Sequence, residues 1–155
     1  MDTQDGLEYV GFWARVGAAI IDAVLLLLVT APPLTAIYGS AYWLGDGPLI
    51  HGFADLLISW VLPAAATVAF WLWKRATPGK LIIGAEIVDA RTGAAPTLGQ
   101  AIGRYLGYFV SLVALLLGYL WVGVDPRKQG WPDKLAGTVV VRRRRRVEPV
   151  RFSGV

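Results

Sequence analysis

The sequence contains no cysteine and only one histidine, His51. The lack of cysteine excludes disulfide bonds, thiolate metal sites and cysteine nucleophiles. A zinc site needs about three or four nitrogen, sulfur or carboxylate ligands at suitable spacing, and the sequence offers no such set. Glycine motifs that bind nucleotides and the nucleophile elbow of serine hydrolases are also missing. The sequence therefore predicts no metal, no cofactor and no enzymatic activity.

Charged residues are scarce as well. They make up 17% of the 155 residues, whereas 55% are hydrophobic and the mean hydropathy is +0.53. Soluble domains carry about a quarter charged residues. No Lys or Arg precedes Phe12, so we expect the first apolar block to be retained rather than cleaved as a secretory signal. This composition predicts one integral membrane domain over residues 1–155, with the lipid bilayer as its main partner.

Three apolar blocks approach the roughly 20 residues that a membrane-spanning helix needs. The first covers residues 12–31 and is followed by two prolines, which stop or kink helices. The second covers residues 54–73 and is closed by Lys74 and Arg75. The third covers about residues 99–124. The predicted fold is an all-α membrane protein, a small bundle with two full spans and a third block that is re-entrant, broken or spanning.

A different pattern lies between the second and third blocks. Short β-branched runs flank the turn Arg91–Gly93, which predicts a β-hairpin at the surface. The cations of this region indicate that the hairpin is cytoplasmic. A further β-branched run, Val139–Val141, can add a strand to this hairpin.

The distribution of basic residues conflicts with a topology in which each apolar block crosses the membrane once. If all three blocks crossed the membrane once, the hairpin and the basic tail, residues 142–155, would lie on opposite sides. Because cations favour the cytoplasm, both segments are expected there. Either the third block is re-entrant or broken, with Ser111 offering a place to bend, or the tail lies outside. We favour the first alternative, which places both termini in the cytoplasm.

Two ionisable residues, Arg15 and Asp22, lie inside the first block on one helical face. Each costs roughly 2.5 to 3.5 kcal/mol in lipid, so both should face protein or water. Side chains on a helix lean toward its N-terminus, so Arg15 should point away from Asp22 and meet a cytoplasmic carboxylate, Asp125 or Asp133. Asp22, expected near the middle of the membrane, either pins helix packing or binds or relays a cation or proton.

The third block begins with glycines at four-residue spacing, which predicts close helix contact along Gly99, Gly103 and Gly107. Arg104 lies among them. It is either an anchor at the membrane interface or a buried charge partner, and with Arg15, Asp22 and Asp133 it completes our set of candidate ion-binding residues.

The second block carries polar residues at multiples of four, namely Asp55, Ser59 and Thr67, with Pro63 between them. Proline frees a backbone carbonyl in a helix. These residues either line a polar path or mark a kinked helix with an interfacial acid at its outer end.

Five consecutive arginines stand near the end of the chain. We expect this run to contact anionic lipid headgroups, where each cation contributes about 1 kcal/mol. Nucleic-acid binding is not expected, because no aromatic residues for base stacking are interleaved with the arginines. The predicted headgroup contacts are Arg142, Arg143, Arg144, Arg145 and Arg146.

Over about residues 9–141 the chain resembles the RDD family of small bacterial membrane proteins, named for one arginine and two aspartates. The arginine and the first aspartate match Arg15 and Asp22, and the second aspartate matches Asp133. Pro132 stands where many members carry a histidine, so a proton role for that histidine does not transfer. Further segments that look like the family are residues 77–80, 87–89 and 103–105.

The resemblance implies a multi-pass protein of the bacterial inner membrane more firmly than it implies an activity. Some members are proposed to act in ion transport or in sodium and proton exchange. One hypothesis is therefore transport, with Asp22 as the ion or proton site and with Arg15 and Asp133 closing the bundle. The alternative is an accessory or assembly subunit whose charges specify packing. Because two or three helices make a thin wall, we expect a homo-oligomer or a larger membrane complex.

Overall fold

The computed structural model describes residues 6–45, 47–114 and 116–144. Helix α1, Phe12–Tyr38, has 27 residues and continues through Pro32 and Pro33. The predicted end at residue 31 is therefore wrong. Membrane helices tolerate proline where neighbouring groups satisfy the freed backbone, and here the helix closes with a regular bond from Gly39 N to Thr35 O at 2.9 Å.

The second apolar block is helical throughout, but its first half is wound more loosely than an α-helix. Helix α2, Phe53–Asp55, leads into a π-helical stretch, Leu56–Val61, which is followed by helix α3, Leu62–Lys74. Pro63 directly follows the π-helical stretch, and local π-helical adjustment is one way in which a continuous helix accommodates a residue without a backbone N–H. Helix α1 and the helical segment Phe53–Ile82 are each long and apolar enough to cross a membrane.

The third apolar block is split. Helix α5, Leu98–Val113, is followed by helix α6, Leu117–Leu120, which continues as the 3₁₀ turn Trp121–Gly123. The two halves are bent by 113°. This bend agrees with the broken or re-entrant alternative. It lies beyond Ser111, which stays inside α5 and donates to Gly107 O.

A small antiparallel sheet joins distant parts of the chain. Its strands are β1, Leu7–Tyr9, β2, Ala85–Asp89, and β3, Thr138–Arg143, in the order β1-β3-β2. In the register, Glu8 lies opposite Arg142 and Ile87 opposite Val140. Since α1 starts directly after β1, all three strands lie at the N-terminal end of α1.

The predicted hairpin is therefore wrong, because a turn and then helix α5 follow β2, but the predicted further strand is confirmed, since Val139–Val141 lie in β3 and pair with β2. Residues before β2 form a short helix α4, Pro78–Ile82. After β2, the Asp89 carboxylate accepts bonds from the backbone N–H groups of Arg91 and Thr92, which closes a turn. The chain then enters α5 through Thr97, whose side chain caps the helix. The chain after the turn therefore begins a helix instead of a second strand.

The first two arginines of the basic run are part of this sheet. Arg142 and Arg143 lie in β3, so the predicted boundary of a free tail at residue 142 is wrong. Arg142 Nε donates to Glu8 Oε1 at 2.5 Å, and Arg144 N donates to Gly6 O. The predicted headgroup contacts Arg145 and Arg146, with the rest of the tail, lie outside the described residues.

The core lies between the sheet and the ends of α3 and α5. Its buried side chains come from both chain ends and from the middle of the sequence. They are Val10, Trp71, Ala85, Ile87, Ala101 and Val140.

Candidate functional site

Asp133 stands at the centre of the polar site. It belongs to helix α7, Trp131–Ala136, whose Pro132 packs against Gly107 of α5. A Cβ on Gly107 would lie 2.7 Å from Pro132 Cα, so only glycine permits this approach of the two helices. Gly130 N donates to Asp133 Oδ2 at 3.1 Å, which orients the carboxylate. The close contact of α5 and α7 thus buries Asp133, which is 1% exposed.

Two arginines from other helices contact this carboxylate. Arg15 Nη1 lies 2.5 Å from Asp133 Oδ2, and Arg104 Nη1 forms an ion pair with Asp133 Oδ1. The remaining donors of Arg15 reach the carbonyls of Val10 and Lys128, at 3.0 and 2.5 Å. We call Arg15, Asp133 and Arg104 the charged triad. It ties α1, α5 and α7 together.

The partners of Arg104 decide between its two predicted roles. It is 2% exposed, so it is a buried charge partner rather than an interface anchor. Beside Asp133 it donates to Thr138 Oγ1 at 2.9 Å and to the Tyr108 hydroxyl at 3.4 Å. Its guanidinium also lies 5.4 Å from the ring centre of Trp71, within the range of cation–π attraction.

The ionisation of Asp133 follows from these neighbours. Burial by itself raises its pKa, but the guanidiniums of Arg104 and Arg15 outweigh burial and hold the pKa below the ordinary value. Asp133 is therefore an anion at neutral pH. Two cations against one carboxylate leave the charged triad with a net positive charge.

Asp22 belongs to a separate contact. Its Oδ2 accepts from Thr77 Oγ1 at 2.5 Å and its Oδ1 from Gly79 N at 2.7 Å. Thr77 is the N-cap of α4, so Asp22 holds the start of that helix against α1. A Cβ on Gly79 would clash with Ala18 O. Asp22 thus lies beside the turn that follows α3. Its expected depth near the middle of the membrane stays a prediction.

The predicted glycine strip is only partly a contact surface. Gly107 is in tight contact with α7, as described above. A methyl group on Gly103 would meet no neighbouring atom within 4 Å, and one on Gly99 would meet only Thr97 Oγ1, at 4.0 Å. The close packing predicted at Gly99 and Gly103 is therefore not seen within the described residues, because a methyl group at either position would meet no atom of another helix within 4 Å.

A cavity of about 620 Å³ brings the predicted site residues together. Arg15, Asp22, Arg104 and Asp133 all line it, although Asp22 is bonded to α4 rather than to the charged triad. Sequence reasoning missed Lys80, the fifth charged residue of the wall. The signal for it was present in the segment 77–80, which carries part of the family resemblance.

The sequence model of the RDD family matches residues 9–137. The chain belongs to the RDD family. The match covers α1 to α7 and hence every residue of the cavity wall. The arginine and the two aspartates on which the resemblance rests meet in one cavity of this RDD protein.

Two curated relatives are similar to this RDD protein. An uncharacterized protein of Rickettsia prowazekii is 36% identical over 75 residues, which are 48% of this chain and 41% of that protein. The chain thus spans less than half the length of this relative. The uncharacterized membrane protein YteJ of Bacillus subtilis is 26% identical over 142 residues, 86% of this chain and 80% of that protein. No solved structure matches the chain.

A second polar group of this RDD protein lies at the opposite end of α1. Asp55, 1% exposed, accepts from Tyr42 Oη at 2.7 Å, from Ser59 Oγ at 2.5 Å and from His51 N at 2.8 Å. Its own N–H donates to Tyr38 Oη at 3.1 Å. We call these five residues the distal cluster. Within the described residues, neither it nor any other group offers three His, Asp or Glu side chains for a metal.

The distal cluster joins two of the polar residues that recur along the second block. Asp55 and Ser59 meet directly, but Thr67 lines the cavity at the other end of the bundle. The structure therefore favours a kinked helix with a buried acid at its end over a continuous polar path.

Proposed function

We propose that this RDD family member is a multi-pass protein of the bacterial inner membrane that works as a non-enzymatic accessory or assembly subunit. The observation that carries the proposal is that both family aspartates are engaged by donors from other elements. Asp133 has two arginine partners, and both oxygens of Asp22 accept hydrogen bonds. These residues hold separate helices of the protein against one another.

The membrane placement is supported by the surface of α1. Its middle exposes a continuous stretch of large apolar side chains, far more than a soluble monomer of this size exposes in one patch. A lipid bilayer or an apolar helix of a partner would cover such a surface. The exposed side chains include Val24, Leu25, Leu26, Leu27, Leu28 and Val29.

The orientation is supported by the cations around the sheet. Arg75 O accepts from Ile87 N, so the end of α3 lies beside β2, and Lys74, Arg75, Arg91 and the arginines of β3 share one end of the bundle. The loop of residues 39–52 at the other end contains no Lys or Arg. By the positive-inside rule the sheet is cytoplasmic, with both chain ends on that side.

Transport is the second candidate, because Asp22 and Asp133 line the cavity. A cation site needs carboxylates that are not already neutralised, whereas Asp133 pairs with two arginines and both oxygens of Asp22 accept hydrogen bonds from α4 and its N-cap. The accessory role therefore fits the geometry better. Its partner would be a second copy of the chain or a larger membrane complex, bound through the apolar helix surface or the cytoplasmic sheet.

Reconstituted vesicles distinguish the two functions. We expect wild-type vesicles to show no sodium or proton flux above empty vesicles, and Asp22→Asn to lower the abundance and assembly of the protein in membranes. Flux in wild type that is abolished in a folded, inserted Asp22→Asn variant would overturn the accessory role and establish transport. Glu86→Gln, an exposed carboxylate of β2, is the control and should leave both measurements unchanged.

A further inference from the structure

The cavity wall carries more positive than negative charge. Three cations, Arg15, Lys80 and Arg104, face two carboxylates, Asp22 and Asp133. The carboxylates are bonded to the arginines, to Thr77 and to Gly79 as described. Lys80 is the remaining charge, since its Nζ reaches only Thr77 Oγ1, at 3.5 Å, among the described residues. A ligand that enters this cavity therefore meets a cation that is not neutralised.

The same wall has a surplus of hydrogen-bond donors. Arg104 Nε and Trp71 Nε1 are buried without an acceptor in the described part of the chain, and both residues line the cavity. Buried donors without a partner are uncommon in native proteins. The hydroxyls of Tyr108 and Tyr119 add further donors nearby. The polar side chains of the cavity wall thus suit an anion with several acceptor oxygens.

The wall of the cavity also carries apolar side chains. They include Val16 and Ile20 of α1 and Leu116 and Leu120 beside and within α6. Ile20, Leu116 and Leu120 are about half exposed, so the cavity opens to the apolar surface of the bundle. A volume of about 620 Å³ lies within the range of roughly 300 to 1,000 Å³ that is usual for ligand sites. A small inorganic anion would contact only the polar side chains, whereas an amphiphile with an anionic head and an alkyl chain would contact both kinds.

We propose that the cavity binds an acidic phospholipid, with the headgroup phosphate at Lys80 and Arg104 and an acyl chain along α1 and α6. This inference rests on the proposed membrane placement but goes beyond the accessory role. It differs from the headgroup contacts expected of the arginine run, because the headgroup is held in the cavity, away from residues 142–146.

Native mass spectrometry of the full chain, released from detergent with added lipid, tests the proposal. We expect one dioleoyl phosphatidylglycerol to bind at least about tenfold more tightly than dioleoyl phosphatidylcholine, since a charged partner contributes more than about 1.4 kcal/mol. Equal affinities for the two lipids would overturn the proposal. So would complete competition by inorganic phosphate at millimolar concentration, which would identify a site for the free anion.

A pair of lysine variants locates the lipid. Lys80→Gln should weaken phosphatidylglycerol binding by roughly five- to tenfold, as expected for the loss of one charge-assisted bond. Lys74→Gln removes the same charge at the same end of the bundle, but Lys74 lies over the Trp73 ring outside the cavity, so it should change the affinity less than about twofold. Equal effects of both variants would indicate a surface contact and contradict the proposal.

A variant that fills the apolar part of the cavity tests lipid binding separately from folding. Ala19→Phe, on the cavity wall, should lower phosphatidylglycerol binding while the thermal unfolding of the protein stays within a few degrees of wild type. Unchanged lipid binding in a folded Ala19→Phe protein would contradict the position of the acyl chain. Lipid binding is measured independently of flux and assembly. The lipid proposal can therefore be wrong while the accessory role is right, and the accessory role can be wrong while the lipid proposal is right.

Discussion

The charged triad and the distal cluster lie at opposite ends of α1 and are built in opposite ways. Arg15 and Asp133 are 118 positions apart, and the triad needs three helices from distant parts of the sequence. In the distal cluster, Asp55 and its partners are at most 17 positions apart. A polar group assembled from distant segments holds a whole fold together, whereas a local group closes one connection. The two clusters should therefore fail differently when they lose a carboxylate.

The largest effect should follow from Asp133→Asn. This change leaves two buried guanidiniums without their anion, and breaking a buried ion pair in this way costs about 3 to 5 kcal/mol. We expect the protein to lose most of its stability in detergent, measured as the urea or thermal unfolding midpoint. Glu8→Gln is the control, because Glu8 pairs with Arg142 through side chains that are 32% and 40% exposed, and losing this pair should cost about 1 kcal/mol or less. Similar losses in both variants would contradict a central role for the triad.

The next effect concerns the helix contact that buries the triad. Gly107→Ala places a methyl group against the backbone of Pro132, and such overpacking costs about 1 to 3 kcal/mol. Gly103→Ala is a matched control on the same helix, with open space around the new methyl, and should be neutral or slightly stabilising. Unfolding midpoints measured side by side distinguish the two. Equal destabilisation would mean that α5 and α7 are not in the contact described.

A smaller and more local effect should follow from Asp55→Asn. The amide keeps one acceptor, so the loss is that of charge-assisted bonds, about 1 to 2 kcal/mol. Hydrogen exchange should quicken in residues 39–52 and at the start of α2, while the sheet and α5 keep their protection. If exchange instead rises throughout the protein, the distal cluster is not the local joint that its short sequence separation indicates.

The smallest effect should come from pH acting on an exposed carboxylate outside both clusters. The bond from Gln100 lowers the pKa of Asp89 to about 2, aided by the backbone N–H groups of Thr92 and Arg91. Because the folded pKa lies below the unfolded value of about 3.9, this carboxylate stabilises the fold above pH 4 and loses that effect as pH falls toward 2. Asp89→Asn should therefore flatten the decline of the unfolding midpoint between about pH 4 and 2. An unchanged slope would contradict this assignment.

The sequence predicted the helices better than it predicted their connections. Hydropathy located the apolar blocks, since lipid-facing helices need about 20 apolar residues. It placed the end of the first block too early because Pro32 and Pro33 stop helices in water more strongly than they do here. The addition of β3 to β2 was expected from the β-branched run Val139–Val141. The pairing of β1 with β3 was out of reach of local patterns, because the two strands lie far apart in the sequence.

The functional site, like the fold, was only partly predictable from the sequence. The cost of a charge in lipid and the family resemblance indicated Arg15, Asp22 and Asp133 as residues to consider, and side-chain direction argued against a pair between Arg15 and Asp22. Which residues contact Asp22 was not predictable, because its donors, Thr77 and Gly79, are 55 and 57 positions away. Only part of the distal cluster was predictable, since Tyr42 lies in the short 3₁₀ helix Ser40–Leu44 and His51 lies in the loop after it, and neither segment shows a helical pattern of apolar residues.

The pairing of β1 with β3 has a consequence for the order of synthesis. Residues 7–9 are synthesised before residues 138–143, the strand that pairs with them. Arg15 likewise meets Asp133 only after α7 has been translated. A nascent chain that is halted after α6 would therefore hold the Arg15 guanidinium at the start of α1 without this carboxylate.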